Sequence, residues 1–371
     1  MKIVGLEAAH FRIPLPTPLS DSIHGEMPDF ELITARVRND DGVEGVGYTY
    51  TVGRGGGAIW WLIEHELAPL LVGSDPRRTE ELWDRMWWHL HWVGRGGVVS
   101  FAMSAVDIAL WDLKARAADE PLWRLLGGQA ARVKVYAGGI DLQFPLERLR
   151  EQTQEFLACG FRAIKMKVGR ERLSEDIERV AAMRDCIGPE MPLMVDANMR
   201  WSVDEAIRAS RALAEFNIYW LEEPTTPDDI EGHARIARLG VLPIATGENM
   251  HTVYEFQRMM SYGGVSFPEP DVSNMGGITA WMKVAHWAQA HHLPVTSHGV
   301  HDIHVHLLAA VPNASYMEVH GFGLERFIKE SLRFEEGQAI VPERLGHGVD
   351  FLWERLEPYR VQSRKTIEVA P

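Results

Sequence analysis

The pattern of apolar and polar residues changes part-way along this chain of 371 residues. Residues 1–50 alternate between apolar and polar positions, as in KIVGLEAAHFRI and FELITARVRND, with a DDG turn before VEGVGYTY. Alternation with a period of two is typical of half-buried strands, and Asp-Gly favours a tight turn. We therefore predict a small antiparallel sheet, followed by amphipathic helices at 58–72, 78–92 and 98–118.

After LLGG (125–128) the rhythm becomes one of short apolar runs separated by helical segments. The runs are VKVYAGG (133–139), FRAIKMKVG (161–169), PLMVDAN (192–198), IYWLEEP (218–224), LPIATGE (242–248), GVSFPEPD (264–271), LPVTSHG (293–299) and ASYMEVH (314–320). Eight strands with helical crossovers predict a parallel sheet closed into a barrel. We expect an α/β chain with an α+β domain at 1–127, a barrel at 128–329, and a segment at 330–371 that returns to the first domain.

The overall charge and the cysteines narrow the class of protein. A formal charge of -14 argues against a nucleic-acid or anionic-membrane partner. The two cysteines, Cys159 and Cys186, have no metal or redox spacing, which favours a reducing compartment. The start of the chain has no apolar signal segment, and no apolar run reaches membrane-spanning length. We expect a soluble cytoplasmic protein.

Polar residues recur near the carboxyl end of the apolar runs. They are Lys165 and Lys167, Asp196 with Asn198, Glu222 with Glu223, Glu248, Asp271, His298 and Glu318. From Asp196 onward the leading residues are 20 to 27 positions apart, which is the length of one strand plus one helix. Since a barrel places successive strand ends around one mouth, we expect these side chains to converge on an active site.

Three of these residues, Asp196, Glu222 and Glu248, lie on consecutive runs and form a candidate metal site. Mg²⁺ prefers a few carboxylates together with water and substrate oxygens. For any single acid, a helix cap or an arginine partner is the simpler interpretation. Three acids in register on neighbouring strands favour a magnesium site.

Two lysines in the apolar run AIKMKVG need an explanation, because buried like charges are costly. Lys165 and Lys167 share one face of the strand and point toward the proposed metal. We interpret one as a contact for an anionic substrate and the other as a base. Lowering a lysine pKa by roughly three units costs about 4 kcal/mol. The alternative is a salt bridge to Asp196 or Glu222.

Two further strand ends complete the candidate chemistry. Asp271 is placed to orient His298, which can then transfer a proton on the other face of the substrate. Glu318, if protonated, can donate a hydrogen bond to a substrate oxygen. Such a set suits removal of a proton beside a carboxylate, followed by reprotonation or by loss of a β-hydroxyl.

The motifs KMK, VDAN, WLEEP, TGEN, PD, SHG and ME, in this order and spacing, resemble the mandelate racemase subgroup of the enolase superfamily. The resemblance implies a modified (β/α)7β TIM barrel with a capping domain built from the N-terminal region and the C-terminal tail. It also implies Mg²⁺ on Asp196, Glu222 and Glu248. The implied acid/bases are Lys167 and the His298–Asp271 pair, with Lys165 near the substrate carboxylate and Glu318 as electrophile.

Within this subgroup the stretch GYTYTVGRGGGA resembles acid-sugar dehydratases of the galactarate/talarate type. We therefore expect a Mg²⁺-dependent lyase that dehydrates an aldarate or aldonate to a 2-keto-3-deoxy acid. The resemblance also implies substrate contacts from lid loops at 14–30 and 51–57. The expected substrate-binding residues are Asn198, Arg200, His24 and Arg54. Met199 and Arg200 stand where many such dehydratases have Gln, which leaves the sugar undetermined.

Three other functions remain open at this point. A racemase or epimerase of an α-hydroxy acid uses the same residues and differs only in the second proton transfer. A barrel zinc hydrolase would use the histidines of SHGVHDIHVH, although we expect His301, His304 and His306 to line a helix. A non-catalytic binding barrel fits poorly with so many acid, base and metal candidates. We expect a small-molecule carboxylate as partner and a homo-oligomer, of the octamer type in the resembling family.

Overall fold

The computed structural model describes residues 1–320 and 322–364. It begins with an antiparallel sheet of β1 (Ile3–Asp21), β2 (Gly25–Asn39) and β3 (Glu44–Thr51). The turn between β1 and β2 occupies residues 22–24. The predicted antiparallel sheet is therefore confirmed, with β2 as the strand between β1 and β3.

Helices follow this sheet and pack on it. They are α1 (Gly56–Leu62), which runs through a π-helical turn (Ile63–Leu67) into α2 (Ala68–Leu71), then α3 (Thr79–Leu90), α4 (Val98–Ala117) and α5 (Leu122–Leu125). The three predicted helices are confirmed to within a few residues. β3 approaches α4 so closely that a Cβ on Gly47 would lie 2.0 Å from the carbonyl oxygen of Ala105. Glycine is the residue that allows this contact.

A parallel barrel follows in regular alternation of strand and helix. Its elements are β4 (Arg132–Gly138), α6 (Leu146–Ala158), β5 (Ile164–Lys167), α7 (Leu173–Ile187), β6 (Leu193–Asp196), α8 (Val203–Leu213), β7 (Ile218–Glu222), α9 (Ile230–Leu239), β8 (Ile244–Thr246), α10 (Val253–Ser261), β9 (Phe267–Pro268), α11 (Gly277–Ala290), α12 (His301–Ala310) and β10 (Met317–Val319), with a 3-10 turn at Ala214–Phe216. Strands β4 to β9 pair in sequence order, and β10 pairs with β4.

The seventh predicted strand, 293–299, is reduced to a single bridge between Val295 and Ala314. Backbone bonds still close the ring there: the N–H of Thr296 donates to Pro268 (3.0 Å), and the N–H of Ser315 donates to Val295 (2.7 Å). The neighbouring Pro294 has no N–H to extend the ladder. The predicted α/β barrel with a capping domain is thus confirmed, although one strand is irregular.

The last part of the chain contacts both units. A 3-10 turn (Leu324–Phe327) precedes the hairpin of β11 (Arg333–Glu335) and β12 (Gln338–Ile340), and β12 pairs with β4. After α13 (Trp353–Leu356) and a 3-10 turn (Glu357–Tyr359), β13 (Arg360–Arg364) pairs with β1.

The predicted return to the first domain is therefore made by β13, while β11 and β12 extend the barrel sheet. The part of the 330–371 segment beyond residue 364 lies outside the described residues, and the domain boundaries stay predictions. One apolar core contains Phe11 and Tyr48 of the first sheet together with Trp281 and Met317 of the barrel. Among the described helices, none is long and apolar enough to span a membrane.

Candidate active site

Three carboxylates meet at the carboxyl ends of β6, β7 and β8. Asp196 and Glu222 end neighbouring strands in register, and Glu248 follows two residues after β8. One oxygen from each lies within 4.8 Å of the others, and all three residues are buried. The oxygen Glu248 Oε2 is buried without an aligned hydrogen-bond donor among the described residues. Since such a cluster of buried carboxylates needs a cation and hard oxygen donors suit Mg²⁺, the residues fit the predicted metal.

The two buried lysines on β5 contact this triad directly. Lys167 lies beside Asp196 in the strand register, and its Nζ is 2.5 Å from Asp196 Oδ2. Lys165 pairs with Glu222 and also reaches Glu318 Oε1 at 2.7 Å. The salt bridges considered as an alternative are therefore present.

The expected lowering of a lysine pKa is not found. Burial acts to lower the pKa of Lys167, but the negative charge of Asp196 and its neighbours outweighs burial and raises it. The pKa of Lys165 is raised in the same way, by Glu222 and Glu318 against burial. A divalent cation on the shared carboxylates would weaken this stabilisation of both ammonium groups.

An Asp–His pair stands on the other side of the triad. Asp271 follows β9, and its Oδ2 is 3.0 Å from Nδ1 of His298. Asp271 is itself fixed by Ser273, whose backbone N–H and hydroxyl both donate to Oδ1 at 2.7 Å. The Nε2 of His298 lies 3.2 Å from Glu248 Oε2, without hydrogen-bond alignment. Burial alone lowers the pKa of His298, but Glu248 and Asp271 raise it to about 10.

The two candidate acid/bases flank the triad. Lys167 ends β5, Asp271 follows β9, and His298 ends the irregular seventh strand that bonds to β9 through Thr296, while the strands that carry the carboxylates lie between β5 and β9. A ligand whose carboxylate reaches the triad would therefore have one candidate proton-transfer group on each side. This is the arrangement that the sequence predicts.

Glu318, on β10, differs from its expected state. Its Oε1 pairs with Lys165, and its Oε2 accepts the N–H of Gly299 (2.9 Å) and lies 3.1 Å from Nε2 of His320. Burial alone would raise its pKa, but His320 and Lys165 hold the pKa well below its usual value. These contacts occupy both carboxylate oxygens of Glu318, and its role as a protonated electrophile stays a prediction.

A cavity of about 330 Å³ lies between the barrel mouth and the capping domain. Glu248, Asp271 and His298 line its barrel side, and His24 and Arg54 line it from the two predicted lid loops. An apolar part of the wall is formed by Ile59, Val98 and Phe101.

The other two expected substrate contacts are placed differently. Asn198 is buried and donates its backbone N–H to Asp196 Oδ1 (2.8 Å), so it positions a carboxylate of the triad. The structure does not bring Arg200 to this cavity; it lines two neighbouring cavities together with Arg170. The backbone has positive φ at Asn198 and Met199, directly before Arg200.

Several residues around the site were missed by the sequence reasoning. Trp220 donates its indole N–H to Glu222 Oε2 at 2.9 Å, and the period of two within WLE already places both on one face. Tyr50 donates its hydroxyl to Asp271 Oδ2 at 3.3 Å from the capping sheet. No sequence signal indicates the contact of His320 with Glu318.

The histidines considered for a zinc site have other partners. His301 begins α12, and His304 and His306 lie on the same helix, as predicted. Nδ1 of His304 lies 2.8 Å from the oxygen of Gly299, and its Nε2 accepts the N–H of Val272. Both ring nitrogens of His304 are therefore occupied, which does not support zinc ligation by His304.

Comparisons with known proteins agree with this geometry. The profile of the mandelate racemase / muconate lactonizing enzyme N-terminal domain matches residues 7–127, and the enolase C-terminal domain-like profile matches residues 148–355. The chain belongs to the enolase superfamily. This confirms the resemblance to the mandelate racemase subgroup, while the expected lyase activity stays a prediction.

Among relatives in the superfamily, a 3,6-anhydro-alpha-L-galactonate cycloisomerase of Streptomyces coelicolor is 55% identical over 93% of this chain and 96% of its own. An L-talarate/galactarate dehydratase of Salmonella typhimurium is 36% identical over 91% of this chain and 86% of its own. A Streptomyces coelicolor structure described as a racemase with bound magnesium superposes with a TM-score of 0.95, at 52% identity, over 97% of this chain and all of its own.

Proposed function

We propose that this chain is a Mg²⁺-dependent enzyme that removes the proton α to the carboxylate of a sugar acid and expels the oxygen on the β-carbon. The observation that supports the proposal is the position of Lys167 and His298, two side chains that can carry a proton, on the two sides of one carboxylate triad. An α-proton of a carboxylate is a very weak acid, so its removal needs both a positioned base and stabilisation of the resulting negative charge.

Each group of the site has a role in this reaction. Magnesium on Asp196, Glu222 and Glu248 would supply stabilisation of negative charge on the substrate carboxylate. Lys165 pairs with Glu222 of the triad, and its positive charge would also act on the substrate carboxylate. Lys167 and His298 exchange protons with the α-carbon from the two sides, and Asp271 holds the imidazole of His298 with Nε2 toward the substrate.

The departing oxygen that we propose is the ring ether of a 3,6-anhydrohexonate. The 55% identical relative supports this substrate class, because it is named as a cycloisomerase of such a compound. In a 3,6-anhydrohexonate the β-carbon carries the ring oxygen, so elimination opens the ring and gives a 2-keto-3-deoxy acid of unchanged mass. The apolar wall of Ile59, Val98 and Phe101 suits the carbon faces of a compact ring.

Dehydration of an open-chain sugar acid is the second candidate. It is supported by the 36% identical dehydratase and by the polar residues His24 and Arg54 at the cap side of the cavity, which suit hydroxyl or carboxylate groups. Here the departing group is a hydroxyl, and the product is lighter than the substrate by one water. The predicted dehydratase therefore stays a prediction beside the cycloisomerase.

Mass spectrometry of the product separates the candidates. The purified chain would be incubated with Mg²⁺ and panels of 3,6-anhydrohexonates, hexarates and aldonates, and new keto acid would be detected with semicarbazide. A keto acid of unchanged mass supports ring opening, and one that has lost water supports dehydration. Solvent deuterium at the α-carbon without any keto acid would instead indicate a racemase or epimerase, and would contradict the elimination.

A further inference from the structure

The tip of the β1–β2 hairpin is fixed directly above the metal site. The hydroxyl of Ser22 donates to the backbone oxygens of Ala197 (2.9 Å) and Asn198 (3.2 Å), the two residues that follow Asp196. The neighbouring Ser20 forms a bridge with residue 141 of the barrel. The hairpin tip is therefore held to the strand end that supplies the first carboxylate of the triad.

This tip carries a second Asp–His pair. Asp21 is buried, and its Oδ2 lies 2.7 Å from Nδ1 of His24. Its Oδ1 accepts the backbone N–H groups of Ile23 (2.9 Å) and His24 (2.7 Å). Because an ionised carboxylate only accepts hydrogen bonds, Nδ1 of His24 keeps its proton toward Asp21, and Nε2 carries the second proton of the imidazolium toward the cavity. The pairing has the same atoms as that of Asp271 with His298.

Both imidazoles line the same cavity, His298 from the barrel and His24 from the hairpin of the cap. His298 belongs to the barrel and stands beside Glu248, at the level where the substrate carboxylate and its α-carbon must lie. His24 belongs to the cap, and so faces the part of a substrate that extends away from the carboxylate. In an elimination, that part begins with the β-oxygen that departs.

The surroundings of His24 suit a group that gives up a proton and regains it. Its side chain is 33% exposed, against 17% for His298, so water can restore the proton. Asp21, by its hydrogen bond, and Glu248, by its charge, raise the pKa of His24, while burial and Lys167 oppose them. Arg54, Asp271 and His298 also line the cavity into which it faces.

We propose that His24 is the acid that protonates the departing oxygen, an inference that rests on the proposed elimination. As the α-proton passes to the base, its bonding electrons form the double bond between C2 and C3, and the C3–O bond breaks. The oxygen keeps the pair of electrons from that bond and takes the proton from Nε2 of His24. The neutral imidazole recovers a proton from water, and the enol product tautomerises to the keto acid.

The test separates proton removal from loss of the oxygen. His24→Gln, Asp21→Asn and wild type would be incubated with Mg²⁺ and the substrate in D2O, with keto acid and deuterium at C2 of the recovered substrate both measured. For His24→Gln we expect keto acid formation to fall by about 100-fold or more, a typical effect for a general acid. Deuterium should still enter C2, because Lys167 and His298 are intact.

Asp21→Asn gives an independent readout. Without the carboxylate the imidazolium is less stable, so the alkaline decline of kcat should begin at lower pH than in wild type. The matched control is Asp41→Asn, a loss of charge at an exposed residue of the turn between β2 and β3, outside both lid loops, that should alter neither rate nor exchange. Thermal melting would show that each variant is folded.

Two results would overturn the role of His24. Keto acid formation near the wild-type rate in His24→Gln shows that another group protonates the oxygen. Loss of deuterium exchange together with keto acid in this variant shows that His24 only binds substrate. A wild type that forms no keto acid from any sugar acid would contradict the proposed function itself. This outcome is distinct from a failure of the His24 role, because it is seen with the wild type alone.

Discussion

The indole of Trp220 holds a metal ligand in place, and its removal should weaken magnesium binding without unfolding the barrel. Its N–H donates to Glu222 Oε2 at 2.9 Å, and both residues are fully buried. A Trp220→Phe change keeps an aromatic ring against Tyr136 and Phe267 but leaves that oxygen without its donor. A hydrogen bond to a charged group contributes about 1.5–3 kcal/mol. Loss of a partner behind a ligand typically lowers metal affinity by about 10- to 100-fold.

Isothermal titration of the metal-free protein with Mg²⁺ measures this effect directly. The matched control is Trp281→Phe, which removes another fully buried indole whose N–H donates to the backbone oxygen of Pro270 (3.1 Å). We expect the dissociation constant to rise by 10- to 100-fold for Trp220→Phe and to stay within about twofold for Trp281→Phe. Equal affinities for wild type and Trp220→Phe, or equal losses in both variants, would refute the reasoning.

Three further predictions concern the lid, the cap and acid stability. Glu31 Oε2 accepts two hydrogen bonds of 2.8 Å that hold the 51–57 lid loop. Glu31→Gln should loosen this loop and raise KM several-fold in steady-state kinetics, with little change in kcat. An unchanged KM would contradict this. Gly47→Ala forces a Cβ against Ala105 and should cost at least about 1–3 kcal/mol in urea unfolding; wild-type stability would show that β3 does not approach α4 so closely. Burial lowers the pKa of His306 from 6.5 to about 3, so its neutral form stabilises the fold fully above pH 6.5 and this contribution is lost as pH falls toward 3. The melting temperature of His306→Gln should therefore fall less steeply with pH than that of wild type over this range. Parallel curves of melting temperature against pH would contradict this contribution of His306.

The sequence predicts the strand ends of the site well, for a geometrical reason. A barrel places the carboxyl ends of its strands around one mouth, so regular spacing was enough to bring together Asp196, Glu222 and Glu248. The period of two likewise places Lys165 and Lys167 on one face. These features follow from the alternation of strands and helices and from the period of two within a strand, and the pattern of apolar residues indicates both.

Protonation and side-chain partners could not be predicted in the same way. The pKa directions of Lys167 and Glu318 depend on which charges lie within a few ångströms across neighbouring strands, and spacing does not give those distances. The contacts of Trp220 with Glu222 and of Asp21 with His24 depend on rotamers and on the docking of the cap. The homo-oligomer and the cytoplasmic location remain predictions.

The central claim is that Lys167 and His298 transfer protons on the two sides of a substrate held at the carboxylate triad. The most direct measurement is keto acid formation from a 3,6-anhydrohexonate with Mg²⁺ by wild type, Lys167→Ala and His298→Asn. The account predicts a keto acid of unchanged mass with wild type, and a loss of at least about 100-fold in each variant. A variant that retains wild-type activity, or a wild type that is inactive on every sugar acid tested, would contradict it.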